Sequence, residues 1–289
     1  ALAEFDWDAP GAELIRPEMV PNLKKFMADL CWIENIGARG FAAMARKAPT
    51  ATLAEIYRYF HAEEQRHANA ELALMKRWGM LEDGEIPEPN VNIRLAMQWL
   101  DDYADDLPLS VLGTVIPMLE VALDGALLKF LLDEVDDPVC HQVFEKINND
   151  ESRHIVVGFD VLELIGHADA RRLAIEFVGT VVSPSLIVGA LISIPLLNRI
   201  RNEVIGMGLD PQRLYSALMR FTQFGERGER TRRVPAYQVV KRYSSWMANP
   251  DSPYHLLANP AVWLSGFYPK RLLKPIPSWF KELTHEPAA

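Results

Sequence analysis

The sequence predicts an all-α protein, with four long helices around a common core and a helical extension at the C-terminal end. Apolar residues recur at intervals of three and four along most of the 289 residues, and the alternating pattern of strands is almost absent. The long helices also fall into two pairs separated by a crossover segment. Two helix pairs joined by one long connection are typical of a four-helix bundle with a crossover.

The first helix pair is predicted over residues 21–47 and from Thr50 to about Gly79. Thr50 or Thr52 can cap the second helix, because a threonine hydroxyl accepts a hydrogen bond from a free backbone N–H of the first turn. A Pro-rich loop and a helix near residues 91–106 then form the predicted crossover.

The second helix pair is predicted over residues 109–135 and from Pro138 to Gly166. Asp137 and Pro138 mark the start of its second helix, because aspartate caps a helix and proline fits its first turn. This pair repeats the organisation of the first, so the sequence predicts an internal duplication.

The predicted bundle domain covers residues 16–167, and residues 168–289 are expected to form a helical extension packed on it. Helices are predicted near residues 210–225 and 233–248. From Asn249 onward the chain is rich in Pro, Trp and Tyr, and we expect it to be irregular but packed.

Residues 177–198 contain no charged side chain, and this run is long enough to span a bilayer. Pro184 and Pro195 interrupt it, so a buried helix that covers the bundle is the favoured interpretation. A membrane span and a contact with a membrane surface or a second subunit are the alternatives.

Charge is distributed unevenly along the chain, whose net charge is −9. From Arg171 onward there are 16 Lys and Arg against 8 Asp and Glu, so the excess of acid lies in the preceding part. The negative total argues against nucleic acid as a partner. The basic stretch from Arg227 to Arg242 can dock an acidic carrier protein, a coenzyme A phosphate or an anionic membrane, or it forms a solvated surface.

The two cysteines, Cys31 and Cys140, cannot build a disulfide framework. We therefore expect a reducing, cytoplasmic location, with peripheral contact to a membrane as the alternative.

A short pattern, Glu-x-Arg-His, occurs twice in the predicted bundle, at residues 64–67 and 151–154. Each copy follows another glutamate, Glu34 or Glu120, at a distance of 30 or 31 residues. All six acidic and imidazole side chains lie on the apolar stripes of their helices, where an unpaired charge is costly to bury. These candidate metal ligands are Glu34, Glu64, His67, Glu120, Glu151 and His154.

Four carboxylates and two imidazoles at these positions suit a pair of metal ions. Residues three apart share one helix face, so the glutamate and the histidine of each repeat can point toward one centre. An oxygen-rich set of this kind favours iron or manganese, whereas zinc prefers more nitrogen or sulfur ligands. The alternative is a set of exposed helix charges with two incidental histidines.

The set resembles the ligands of the ferritin-like di-iron carboxylate superfamily, over about residues 16–167. The strings EEQRH at residues 63–67 and DESRH at residues 150–154 are most similar to soluble acyl-carrier-protein desaturases and bacterial multicomponent monooxygenases. The resemblance implies that the six residues bind two iron ions, or manganese in place of one or both. It also implies that Glu64 and Glu151 bridge the two ions.

The same resemblance implies roles for four neighbours of the ligands. Glu63 and Asp150 would accept hydrogen bonds from the free N–H groups of the ligand histidines, which fixes the tautomer and the direction of each ring. Arg66 and Arg153 would offset the charge of the buried carboxylates. For Glu63 and Arg66 a solvated ion pair is the alternative. His61 is a further candidate ligand, with a partly exposed histidine as the alternative.

Some positions depart from the patterns of the superfamily, and two of them are our candidate catalytic residues, Glu71 and Asp124. Glu71 stands where ribonucleotide reductase small subunits carry a radical tyrosine, which argues against stable tyrosyl-radical chemistry. Leu123 and Asp124 occupy the turn where desaturases and monooxygenases have a threonine, so Asp124 either relays protons or is an ordinary surface aspartate. Gly158, together with Gly125 and Gly37, either leaves room for dioxygen and substrate or permits close helix packing.

These expectations together predict a di-iron oxidoreductase that activates dioxygen to hydroxylate, desaturate or otherwise oxidise a largely apolar, fatty-acyl-like substrate. No Gly-rich dinucleotide fingerprint occurs, so a separate protein is expected to donate the electrons. We also expect a homodimer. The alternatives are a ferroxidase or other iron-handling protein, and a peroxidase or manganese catalase.

Overall fold

The computed structural model describes residues 4–82, 84–122 and 127–276. The protein is 78% helical and contains no strand in these ranges, so the predicted all-α fold is confirmed. The α-helices described are α1 (Val20–Lys47), α2 (Ala51–Arg77), α3 (Val91–Tyr103), α4 (Leu109–Ala122), α5 (Lys129–Glu134), α6 (Pro138–Ile165), α7 (Ala170–Val181), α8 (Pro184–Gly206), α9 (Pro211–Arg227), α10 (Pro235–Ala248) and α11 (Tyr254–Ser265).

The starts of α2 and α6 follow the predicted capping signals. The Thr50 hydroxyl accepts a hydrogen bond from the Leu53 N–H at 3.2 Å, and the Asp137 carboxylate accepts one from the Val139 N–H at 3.0 Å. The buried Asp137 carboxylate also pairs with the Arg77 guanidinium at 2.8 Å. This ion pair ties the end of α2 to the start of α6.

The two helix pairs lie side by side. α1 packs along α2 and α4 packs along α6, while α1 also contacts α4 and α2 contacts α6. α3 crosses α1, α8 lies on α1 and α3, and both α9 and α10 cover α4. Large side chains such as Phe26, Trp32 and Phe144 are fully buried in the interior. The inner faces of α1, α2, α4 and α6, where the candidate ligands lie, are therefore shielded from solvent.

The structure describes the third long helix on both sides of residues 123–126, which lie outside the described ranges. α4 is described to Ala122, and a wider helical turn at residues 127–128 leads into α5 at Lys129. Pro117 lies inside α4, where proline removes one backbone hydrogen bond. The predicted proton relay Asp124 and its neighbours Leu123 and Gly125 lie outside the described residues.

The C-terminal third is more helical than the sequence predicts. α9 and α10 match the helices predicted near residues 210–225 and 233–248. The prediction of an irregular end from Asn249 is wrong, because α11 occupies Tyr254–Ser265 with Pro260 inside it. A proline inside a helical pattern normally marks a helix end, which is why the sequence concealed this helix.

Hydrophobic contacts join the predicted bundle to the predicted extension. Leu162 of α6, Phe221 of α9 and Tyr237 of α10 belong to one buried cluster. The division of the chain into residues 16–167 and 168–289 stays a prediction, while the core runs across that boundary.

The uncharged run of residues 177–198 is not the buried helix that we predicted. Pro184 separates it into α7 and α8, which are bent by 74° relative to each other, because proline disfavours a helical conformation in the residue before it. Val178 and Leu191 are 60% and 63% exposed. In the described residues no single helix is long and apolar enough to cross a membrane, although the bent pair passes that test by length and composition.

A half-buried ion cluster away from the candidate ligands connects α8 to α1. Arg199 lies 3.3 Å from the Asp29 carboxylate and 3.0 Å from the Glu203 carboxylate. Burial, together with the charge of Asp29, raises the pKa of Glu203 to about 8. Folded protein therefore keeps the Glu203 proton between pH 4.5 and 8, whereas the unfolded chain loses it above the ordinary value of 4.5.

We predict that Glu203 makes the free energy of unfolding fall as pH rises from about 5 to 8, and that its contribution levels off above pH 8. Glu203→Gln removes this slope, so the variant should gain stability relative to wild type at pH 8 and match it at pH 5. Urea unfolding at both pH values measures the difference, with Glu229→Gln at an exposed position as the control. An equal difference at both pH values would contradict the prediction.

Candidate metal centre

Four helices direct acidic and imidazole side chains into one buried space. α1 and α4 each supply one glutamate, while α2 and α6 each supply a glutamate and a histidine three residues later. Every one of these side chains is at most 5% exposed. The six residues are Glu34, Glu64, His67, Glu120, Glu151 and His154.

Donor atoms of these side chains form two overlapping groups, and within each group all atoms lie within 4.8 Å of one another. One group contains Glu34, Glu64, His67 and Glu151, and the other contains Glu64, Glu120, Glu151 and His154. Either group could hold a metal ion, and a carboxylate common to both can bridge two ions. The role of each residue as a ligand stays a prediction.

His67 turns one ring nitrogen toward the cluster and the other toward a carboxylate behind it. Its Nδ1 lies 3.0 Å from Glu151 Oε1 and 3.6 Å from Glu34 Oε2. Its Nε2 lies 3.2 Å from Asp150 Oδ2. A proton on Nε2 that is donated to Asp150 leaves the Nδ1 lone pair directed at the cluster, which is the tautomer that a metal ligand needs.

His154 repeats this arrangement from the opposite side. Its Nδ1 lies 3.2 Å from both Glu64 Oε1 and Glu151 Oε2, and its Nε2 lies 3.1 Å from Glu63 Oε2. Each repeat thus supplies the carboxylate that holds the histidine of the other repeat. Glu63 and Asp150 occupy the positions expected for acceptors of the histidine N–H groups.

Arg153 joins the two outer carboxylates. Its Nη2 donates to Glu63 Oε1 at 2.8 Å and to Asp150 Oδ1 at 2.6 Å. Burial raises the pKa of Asp150, but hydrogen bonds from His67 and Arg153 outweigh it and lower that pKa to about 2. Arg66 lies 3.4 Å from Glu63 Oε1 and is 42% exposed, so its ion pair with Glu63 is weak, as the solvated alternative supposed.

Several buried atoms of the centre make no hydrogen bond of good geometry with a described residue, although some of them lie 3.0–3.2 Å from a polar atom of the cluster. These atoms are Glu64 Oε1, His67 Nδ1, Glu120 Oε2 and both carboxylate oxygens of Glu71. Each such atom costs about 1–3 kcal/mol of stability when it stays unpaired. Bound cations would satisfy the carboxylate oxygens and imidazole nitrogens, and this donor set fits iron or manganese.

The buried groups of the cluster differ in how strongly they hold a proton, because their pKa values are shifted in different directions. Burial, reinforced by the charges of Glu151 and Glu34, raises the pKa of Glu64 well above its usual value. Burial acts in the same direction on Glu151, but hydrogen bonds led by the one from His154 lower the pKa of Glu151 to about 2. Burial lowers the pKa of His154, but hydrogen bonds led by the one to Glu151 raise it to about 12. The protonated imidazole of His154 therefore offsets part of the negative charge of the carboxylates, as bound cations would.

Glu71 is fully buried one turn beyond His67, beside the cluster but outside both donor groups. Burial and then the charge of Glu34 raise the pKa of its carboxyl well above the usual value. Burial and then the charge of Glu71 raise the pKa of the Cys31 thiol. Cys31 was not predicted to lie near the site. Its spacing of three residues before Glu34 on the same helix is the signal that could have indicated this. The predicted catalytic role of Glu71 stays a prediction.

Two phenylalanines cover the ring of His154. The centroid of Phe41 lies 5.0 Å from that of His154, and the centroid of Phe60 lies 4.2 Å away. Both phenylalanines are buried and exclude water from this side of the cluster. His61, the further candidate ligand, lies outside both donor groups, with its Nδ1 2.8 Å from the carbonyl oxygen of Ala38.

Glycines near the cluster permit close packing rather than open space. A Cβ at Gly37 would lie 2.3 Å from Glu64 Oε2, and a Cβ at Gly158 would lie 2.4 Å from Cγ of Pro117. Both distances are far shorter than a real contact, so these sites are filled by neighbouring atoms. These glycines therefore permit close helix packing. They do not leave room for dioxygen at Gly158.

We predict that Gly37→Ala weakens metal binding, because the added methyl group must displace the Glu64 carboxylate. The expected loss of metal affinity is about 10- to 100-fold, as when a supporting contact of a ligand is removed. Titration against a competing chelator measures the loss. Gly113→Ala is the matched control on α4, since its Cβ would meet Met44 and Val161 at 3.9 Å, an ordinary contact. Equal affinities of the two variants would contradict the prediction.

An apolar cavity of about 60 Å³ lies where α8, α9 and α10 cover α1 and α4. Ile33 and Leu119, which precede the candidate ligands Glu34 and Glu120, line it together with aliphatic side chains of the covering helices. Arg201 is the charged residue among the described side chains that line it. The cavity suits a small apolar group.

Comparison of the chain with protein-family models, with curated proteins and with solved structures finds no match.

Proposed function

We propose that the protein is a di-iron oxidoreductase built on a ferritin-like four-helix bundle, which uses dioxygen to oxidise a largely apolar substrate. One observation carries the proposal. Six buried carboxylate and imidazole side chains from four helices form two donor groups that share Glu64 and Glu151. Such a set does not stabilise the fold as apolar packing would, because every unpaired buried charge lowers the stability of the folded state.

Two iron ions bound there would supply the redox chemistry with dioxygen that side chains lack. The residues of the chain bind and orient the ions. Asp150 and Glu63 fix the ring directions of His67 and His154, while Phe41 keeps water away from His154. Manganese in place of one or both iron ions is compatible with the same donors.

The substrate class is inferred from the apolar cavity whose lining includes the residues that directly precede Glu34 and Glu120. Its lining near Ile33 and Leu119 is almost entirely aliphatic, which suits an apolar group of the substrate and offers no polar path for iron ions. This lining favours oxidation of an apolar, fatty-acyl-like substrate over iron storage. Electrons would come from a separate donor protein, in keeping with the absence of a dinucleotide fingerprint in the sequence.

The proposal is tested by turnover of the iron-loaded protein. The protein is loaded anaerobically with ferrous iron and exposed to dioxygen with a chemical reductant and a panel of fatty acids and acyl thioesters. Mass spectrometry should detect a product that is one oxygen heavier or two hydrogens lighter than its substrate, and Glu151→Ala should form none. Oxygen uptake that only oxidises added iron, with no altered acyl chain, would assign the protein to iron handling instead.

A further inference from the structure

Large apolar side chains face solvent on α7, α8, α11 and the turns that follow α7 and α11. Eight of them are each at least 60% exposed, and we call this set the apolar face: Ile175, Val178, Val182, Leu191, Leu256, Leu257, Trp263 and Phe267. The rings of Trp263 and Phe267 lie side by side, with centroids 4.7 Å apart. α8 contacts both α7 and α11, and exposed apolar side chains grouped on neighbouring helices mark interaction sites.

The helices that carry the apolar face are held firmly against the rest of the protein. The Trp99 indole N–H donates to the Ser185 carbonyl at 2.6 Å, which anchors the start of α8 on α3. The Tyr254 hydroxyl donates to the Ile194 carbonyl at 3.2 Å, which anchors the start of α11 on α8. The exposed side chains therefore stand on a fixed framework rather than on a loose loop.

The same segments are basic, whereas the chain as a whole is acidic with a net charge of −9. Residues 170–206 and 254–276 contain seven basic and two acidic side chains: Arg171, Arg172, Arg199, Arg201, Lys270, Arg271 and Lys274 against Glu176 and Glu203. Arg199 and Arg201 belong to the interior side of α8, because Arg199 pairs with Asp29 and Glu203 and Arg201 lines the apolar cavity. Glu176 accepts a hydrogen bond from Ser110. Five basic side chains therefore remain on these segments against two acids that are both engaged within the protein.

The cations nearest the aromatic pair follow it directly in the chain. Lys270 lies 4.0 Å from the Glu88 carboxylate, where both side chains are more than 80% exposed, and Lys274 pairs with Asp102. Arg271 forms no ion pair with a described residue. Exposed ion pairs of this kind contribute little stabilising free energy. These cations therefore remain available to bind an anionic surface.

We propose that the apolar face docks the protein on an anionic lipid bilayer, with α7, α8 and α11 lying along the membrane surface. Tryptophan, phenylalanine and tyrosine followed by Lys and Arg form the pattern that membrane interfaces favour, with rings at the level of the headgroups and cations toward lipid phosphates. A second copy of the chain fits less well, because a symmetric contact would bring the cations of the two copies together.

The docking is tested with the purified 289-residue chain and lipid vesicles, without metal or turnover, so its outcome is separate from that of the proposed enzyme function. Wild type should float with vesicles of phosphatidylcholine and phosphatidylglycerol, and much less with phosphatidylcholine alone. Raised salt should weaken the binding. Failure to float, or equal binding to both kinds of vesicle, would overturn the proposal.

Two double variants and a matched control locate the surface. Trp263→Ser with Phe267→Ser should lower vesicle partitioning more than about 100-fold, the loss expected when two buried aromatic side chains are removed. Lys270→Gln with Arg271→Gln should lower it about 30-fold. Tyr59→Ser with Val156→Ser, at positions 63% and 60% exposed on α2 and α6, should leave it unchanged.

Circular dichroism should give the same helix content for all three variants. Partitioning of either face variant at the wild-type level would overturn the proposal. So would a wild-type dimer in solution that becomes a monomer in the Trp263→Ser, Phe267→Ser variant without any vesicle binding, because the face would then be an interface between copies.

Discussion

Replacement of Glu151 by alanine is expected to remove both metal ions. Glu151 contributes an oxygen to both donor groups, and its carboxylate also lies within 3.2 Å of both ligand histidines. Loss of this side chain removes the proposed bridge and frees both rings at once. Elemental analysis of protein purified from iron-supplemented cultures should give less than a tenth of the wild-type iron, as an order-of-magnitude expectation for loss of a direct ligand.

The other ligands give graded results that test the two-group arrangement. Glu34 belongs to one group and Glu120 to the other, so Glu34→Ala and Glu120→Ala should each weaken one ion more than the other. Glu145→Ala is the control, because Glu145 is an exposed glutamate on the same helix as Glu151. Full iron content in Glu151→Ala, or an equal loss in Glu145→Ala, would contradict the assignment.

Metal binding is expected to raise the melting temperature by roughly 10 °C. A ligand at about 1,000 times its dissociation constant stabilises the folded state by about 4 kcal/mol, and each kcal/mol shifts the melting temperature of a chain of this size by about 2–4 °C. The stabilisation arises because cations pair with buried atoms that make no hydrogen bond of good geometry with a described residue, such as Glu120 Oε2 and His67 Nδ1.

Thermal unfolding of metal-free protein with and without manganese measures this shift without oxygen chemistry. Magnesium should produce a much smaller shift, because it disfavours imidazole ligands. Glu151→Ala should unfold at the same temperature with and without manganese. A shift of the same size in this variant would mean that manganese stabilises the protein elsewhere.

The candidate ligands could be read from the sequence because two independent periodicities coincide. The spacing of three within each Glu-x-Arg-His places both side chains on one helix face, and the apolar stripe shows that this face is inward. The acceptor roles of Glu63 and Asp150, the acidic residues before the two repeats, were expected from the resemblance to di-iron carboxylate proteins and not from periodicity. Each of these two acidic residues contacts the histidine of the other repeat: Asp150 contacts His67, and Glu63 contacts His154. This crossed arrangement depends on the packing of α2 against α6, so the sequence of one helix alone could not predict it.

Features that depend on contacts between distant segments could not be predicted. An uncharged run such as residues 177–198 has the same composition whether its helix is buried or exposed, so its exposed face was predicted as core. Pro260 concealed α11. The packing of Gly37 against Glu64 depends on how closely α1 approaches α2, and no local pattern reports that distance.

The central claim, that the chain binds two metal ions in one buried centre, is tested most directly by anomalous X-ray diffraction from crystals loaded with iron or manganese. The claim predicts two anomalous peaks per chain. One peak should lie among Glu34, Glu64, His67 and Glu151, and the other among Glu64, Glu120, Glu151 and His154. A single peak, peaks outside these groups, or no peak from fully loaded protein would contradict it.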